Sequence, residues 1–177
     1  MNRHELEDEL QEMFTDERKV SKILSNETIQ QPIRTLELLT AACVDISATV
    51  DTAIAVMQDR KTGCVLITRH DVLIGILTER DVLLKLTNRM YDLSEVPVAS
   101  VMTRSPEALR PDDTIAYAMN LMSVGGYRHV PIVDDDRKPL SVLSIRNVVS
   151  YIVEHFPDEI INLPPRPLRS TSEREGA

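Results

Sequence analysis

The chain has 177 residues, with 20 basic and 28 acidic side chains and a formal net charge of −8; nucleic acid and anionic membrane are poor partners, because both demand a basic footprint. A hydrophobic share of 42% with 3% aromatic residues predicts an aliphatic globular core. No apolar run reaches the roughly 20 residues of a spanning helix, and the opening "MNRHELEDEL" has no signal-peptide core, so a soluble, cytoplasmic protein is expected.

Residues 1–35 read as a helical extension. Leu6, Leu10, Met13 and Phe14 share one helical face, and Val20, Ile23 and Leu24 share a second beyond a break near Thr15. Short stripes of this kind need a surface to cover them, the body of the protein or a second copy. They motivate the expectation of a homodimer.

An internal repeat follows. "TVDTAIAVM" (49–57) and "TIAYAMNLM" (114–122) carry the same amphipathic helical stripe, at 50, 53, 54, 57 and at 115, 118, 119, 122. Next come strand-type runs, "GCVLIT" (63–68) and "RHVPIV" (128–133), then polar turns, "RHD" (69–71) and "DDDRKP" (134–139). Asp134–Asp136 reads as a charged hairpin turn rather than a cation site. Second strands, "VLIGIL" (72–77) and "LSVL" (140–143), lead into helices "ERDVLLKL" (79–86) and "IRNVVSYIV" (145–153). The repeats span 36–98 and 99–160, and the Pro-, Ser- and charge-rich tail 161–177 is expected to be disordered. Cys43 and Cys64 lack metal-type spacing and are expected to be buried thiols.

Each repeat is therefore an α/β unit: a small three-stranded sheet with two helices on one face. Its bare face needs a partner, and the other repeat is the obvious one. A pseudo-twofold pair packed sheet to sheet is predicted, with clefts between the repeats as candidate ligand sites.

One small pattern recurs at the junction of strand and helix. "GILTERD" (75–81) sets Thr78 three residues before Asp81, and "SVLSIRN" (141–147) sets Ser144 three before Asn147. Hydroxyl-x-x-carboxylate at a helix start is first of all a capping box; "SERE" (172–175) in the tail matches it too. A carboxylate in this place also suits the vicinal hydroxyls of a ribose, with helix N–H groups facing a phosphate.

Pattern, order and duplication resemble the cystathionine-β-synthase (CBS) domain pair, or Bateman module, whose ribose motif is Gly-h-h-Thr/Ser-x-x-Asp/Asn with h hydrophobic. "GILTERD" fits throughout from Gly75 to Asp81, whereas "SVLSIRN" carries Ser141 where the family prefers Gly; "GYRHVPIVD" (126–134) and "VASVMTRSP" resemble further family signatures. The resemblance covers roughly residues 36–155. It implies an adenosine nucleotide (AMP, ADP, ATP or a relative) held between the repeats, with Asp81 and Asn147 on the ribose, helped by Thr78 and Ser144. Arg80 and Arg146 are candidates for its phosphates, as are Arg128 and His129 acting across to the other repeat's ribose anchor. A nucleotide at Asn147 would meet Gly63 and Cys64 in that place, so the Asp81 site is expected to be the tighter. The expected function is a regulatory module that acts on a separate, unknown protein, with no catalytic residue, metal or cofactor. The alternative is an interaction module whose nucleotide sites are vestigial. A P-loop, a Gly-x-Ser-x-Gly elbow and a metal cluster are all missing from the sequence.

Overall fold

The computed structural model describes residues 26–86 and 92–155. The chain runs through α1 (Asn26–Ile29), β1 (Cys43–Asp45), α2 (Val50–Arg60), β2 (Cys64–Arg69), β3 (Val72–Thr78) and α3 (Glu79–Leu86). The second half continues with β4 (Thr103–Arg104), α4 (Ile115–Gly125), β5 (His129–Val133), β6 (Pro139–Ser144) and α5 (Ile145–His155). The stripes of the helical extension, at positions 6–24, and the tail lie outside the described residues.

The two halves use the same local chemistry. Thr49 caps α2 by accepting from the Thr52 amide, and Thr114 caps α4 by accepting from Tyr117. Both helices end on a left-handed residue, Lys61 (φ 50°) and Gly126 (φ 67°); at Gly126 glycine's tolerance of positive φ turns the chain back towards a strand. Val50, Ala53 and Met57 are buried in the first half, and Ile115, Ala118 and Met122 in the second. His70 and Asp71, both at positive φ, turn β2 into β3. In the second hairpin, Asp134 accepts from the amides of Asp136 and Lys138, so the acidic run is a turn.

The strand β2 shows how the repeats meet. Val65 and Ile67 point into a core with α2, Leu77 and Leu86, while Cys64 and Leu66 are buried with Leu73, Ile76 and Val133 of the other repeat. A strand buried on both faces reads as a continuous apolar run. Each fully buried aliphatic side chain here contributes roughly 1.5–3 kcal/mol.

The strand count departs from two equal three-stranded sheets. The first sheet runs β1-β2-β3-β4, and the second is the β5-β6 pair. Leu109, the counterpart of Val44 in β1, makes a single parallel bridge to Ile132. Pro106 and Pro111 flank Leu109, and residues without an N–H cannot extend a ladder.

The fourth strand of the first sheet belongs to the lead-in of the second repeat, where Thr103 pairs with Ile76 and Arg104 with Gly75. The first repeat's lead-in returns the favour of position, Thr40 bridging Ser141. A second exchange sits at the helix starts. Ile33 N–H donates to Asp113 and Ile115 N–H to Gln31, and the equivalent bonds run from Val98 to Ala48 and from Val50 to Val96. Ile33, at the end of the sequence-defined extension, is fully buried in the second repeat's core with Leu109, Val130 and Leu143.

The expectation of two buried thiols fails at one of them. Cys64 is buried, but Cys43 is exposed. In the short strand β1 only the central Val44 turns inward, so an apolar neighbourhood in sequence does not bury its neighbours.

Candidate functional site

Beneath the start of α3 lies a cavity of about 340 Å³, lined from the first repeat by Gly63, Thr78, Glu79, Arg80 and Asp81 and from the second by Tyr127, Arg128 and His129. The connection between the repeats, Thr103 to Glu107, closes one wall. A volume of this size lies in the range of small-molecule sites.

Asp81 is held firmly. Its Oδ2 accepts from the Thr78 amide at 3.0 Å and the Thr78 hydroxyl at 2.6 Å, and its own amide donates back to the Thr78 oxygen at 3.2 Å. This is the reciprocal capping box. Oδ1 takes the Lys85 ammonium at 2.7 Å, leaving the Asp81 side chain 16% exposed. Burial pushes the Asp81 carboxyl upwards, but the bonds from Lys85 and Thr78 outweigh it and hold the group below its ordinary value. Three donors thus fill three of the roughly four acceptor positions of a carboxylate.

Across the cavity, burial and the adjacent Arg128 guanidinium push the His129 imidazole below its ordinary range, opposed in part by the Glu79 carboxylate. Burial and Arg128 both favour the neutral imidazole. The Tyr127 hydroxyl donates to Glu107 at 2.8 Å, and desolvation together with that acceptor pushes the phenol up to about 12.

Of the residues singled out in the sequence, Thr78, Arg80, Asp81, Arg128 and His129 are brought together here, and Gly63, expected to face a nucleotide at Asn147, lines this cavity instead. Gly75 is not in the lining. A Cβ there would stand 2.5 Å from the Met102 sulfur and 3.2 Å from the Thr103 carbonyl, so the glycine admits β4 rather than a ligand. Ser144, Arg146 and Asn147 stand at the start of α5, away from this cavity. Asn147 Oδ1 accepts from the Ser144 amide and hydroxyl at 2.9 and 2.5 Å, the same capping box. Its i+4 residue is Tyr151, whose hydroxyl donates to the Thr28 carbonyl, and among the described residues no ammonium takes the place of Lys85.

The sequence reading missed Glu79, Arg104, Glu107 and Tyr127. Glu107 and Arg104 sit on the lead-in, where no periodicity points at a cavity. Tyr127 could have been found as the neighbour of Arg128 inside "GYRHVPIVD".

Comparison with known proteins fits this construction. The CBS domain signature matches residues 37–88 and 98–154: the chain belongs to the CBS-domain family and carries two copies of the domain. It is 30% identical over 123 residues to the CBS domain-containing protein CBSCBSPB5 of Arabidopsis thaliana, a match covering 69% of this chain and 22% of that one. The chain thus spans about a fifth of that plant relative's length. Among solved structures, the CBS domain NE2398 superposes with a TM-score of 0.58 at 29% identity, covering 63% of this chain and 86% of the other. A CBS domain protein of Pyrobaculum aerophilum, solved in complex with AMP, gives a TM-score of 0.63 at 22% identity, covering 70% of this chain and 97% of its own.

Proposed function

We propose that the protein is a regulatory module that binds an adenosine nucleotide between its CBS repeats and reports occupancy by a change of shape or association. The observation that carries this reading is the cavity shared by Asp81, Thr78 and Arg80 of one repeat and Arg128 and His129 of the other. A carboxylate at one end suits a ribose diol, and two guanidinium groups with an imidazole suit a phosphate. The Thr78 hydroxyl is the donor able to yield on Asp81, since its proton can rotate towards an incoming ribose oxygen. AMP in the Pyrobaculum relative makes it the first ligand to try.

The second pattern has a plainer reading. Its capping bonds are complete, and a neutral amide offers a ribose one acceptor where Asp81 offers two. A weak or vestigial site at Asn147 follows.

Exposed Leu84 on α3, Tyr117 and Val124 on α4 and Val149 on α5 support association of two copies through helix faces, the homodimer that the sequence suggests. Thermal unfolding with AMP, ADP and ATP tests the proposal, because a ligand that binds the folded state raises the melting temperature in proportion to the logarithm of its concentration. A melting temperature indifferent to all three at millimolar concentration sinks it and leaves the interaction-module alternative.

A further inference from the structure

The least expected contact of the site lies outside the cavity. Lys85 is not one of the cavity's lining residues, yet its ammonium reaches Asp81 Oδ1 at 2.7 Å and the Val101 carbonyl at 2.6 Å. Val101 is buried and follows the 3-10 turn Val98–Ser100. Directly after it come Met102, packed against Gly75, and Thr103 to Glu107, the cavity wall. One cation therefore joins the anchor carboxylate to the connection between the repeats.

Taking the nucleotide reading of the site as given, we propose that Lys85 is its positioning residue: it fixes the orientation of Asp81 and ties that orientation to the inter-repeat connection, so that occupancy at Asp81 is transmitted to Val101–Glu107. Three features of the contact support this. The ammonium serves two acceptors from one position, so moving Asp81 strains or breaks the bond to Val101. Lys85 is 42% exposed, free enough to follow such a movement. The second repeat has Tyr151 in the equivalent place, bonded to the Thr28 carbonyl instead of to an anchor side chain, so among the described residues the link belongs to the Asp81 site.

The test compares the full chain with Lys85→Met, which keeps the stem and removes the charge, and Lys85→Arg, which keeps a charged donor. Amide hydrogen exchange without ligand comes first. In Lys85→Met, exchange should quicken at Met102 and Ser105, whose amides donate to Val98 and Ile74, with α4 and β5 unchanged. Carbon-13 titration of the Asp81 carboxyl should show its pKa rising in Lys85→Met and staying low in Lys85→Arg. With AMP added, the wild type should gain protection over 101–107, while Lys85→Met should bind roughly two- to tenfold more weakly, because the released Asp81 side chain must be ordered on binding, without that gain. Unchanged exchange over 101–107 in Lys85→Met overturns the proposal, as does full AMP-induced protection in that variant. If the wild type binds no AMP, the nucleotide reading fails separately, and the ligand-free exchange still decides whether Lys85 holds the connection.

Discussion

The Glu79 amide donates to the Gly63 carbonyl at 3.0 Å, and 66 positions after Glu79 the Ile145 amide donates to Arg128 at 2.9 Å. The backbone of the two repeats is the same here, but the side chains are not. Where one repeat has Gly63 and Glu79, the other has Arg128 and Ile145. Charge therefore distinguishes two places that geometry makes alike.

The Asp81 site should be the tighter of the two. Asp81→Ala removes charge-assisted bonds worth roughly 1.5–3 kcal/mol, about tenfold to over a hundredfold in affinity. Calorimetry with AMP and 2′-deoxy-AMP reads both the loss and its dependence on the ribose hydroxyls. Equal affinity for the two ligands assigns Asp81 to capping alone.

Cross-repeat binding is tested by Arg128→Ala and Asn147→Asp. The first should weaken only the binding event that Asp81→Ala abolishes, because Arg128 and Asp81 line one cavity. The second should strengthen only the weaker event. An Arg128→Ala effect on the event that responds to Asn147→Asp would show that the phosphates do not cross.

Binding of AMP should take up a proton near the ordinary histidine range, at about pH 6.5. His129 is held below its ordinary value by burial and Arg128, and a phosphate beside it favours the imidazolium. Calorimetry in buffers of different ionisation enthalpy measures the uptake, which His129→Gln should abolish. The same group shapes stability without ligand. With its folded pKa below the unfolded 6.5, stability is lost as pH falls from 6.5 through the folded value, since the unfolded chain binds the proton first. Asp81 acts in a lower window: its folded pKa lies below 3.8, and its contribution, present above 3.8, disappears as pH falls through the folded value.

Ile33→Ala should cost roughly 2–5 kcal/mol of stability, although the residue precedes the first repeat. Denaturant unfolding measures it. A loss under 1 kcal/mol would mean that the segment before the repeat is dispensable to the second core.

The sequence made the repeats legible because helices α2 and α4 keep one stripe and β2 and β5 one apolar run, and those patterns follow from burial. Thr78 and Asp81 stood out through the repeated motif at the junction of β3 and α3, and Arg128 and His129 through the family resemblance alone. The crossing of the lead-ins was not, since Thr40, Thr103 and Arg104 pair through backbone groups that leave no side-chain signature. Leu109 kept the hydrophobicity of Val44 but lost the strand to its flanking prolines. Lys85 belongs to no motif in the sequence, because its second acceptor is a carbonyl 16 residues away.

The exchanged lead-ins also bear on how this chain can be taken apart. Gln31 and Ile33 complete the half that contains Ile115, and Val96 and Val98 complete the half that contains Val50. A chain cut between residues 86 and 92 therefore yields two fragments, each lacking an edge that only the other supplies. Expressed singly they should stay unfolded; mixed, they should reassemble, which makes this fold a natural split reporter whose signal rises when its two pieces meet.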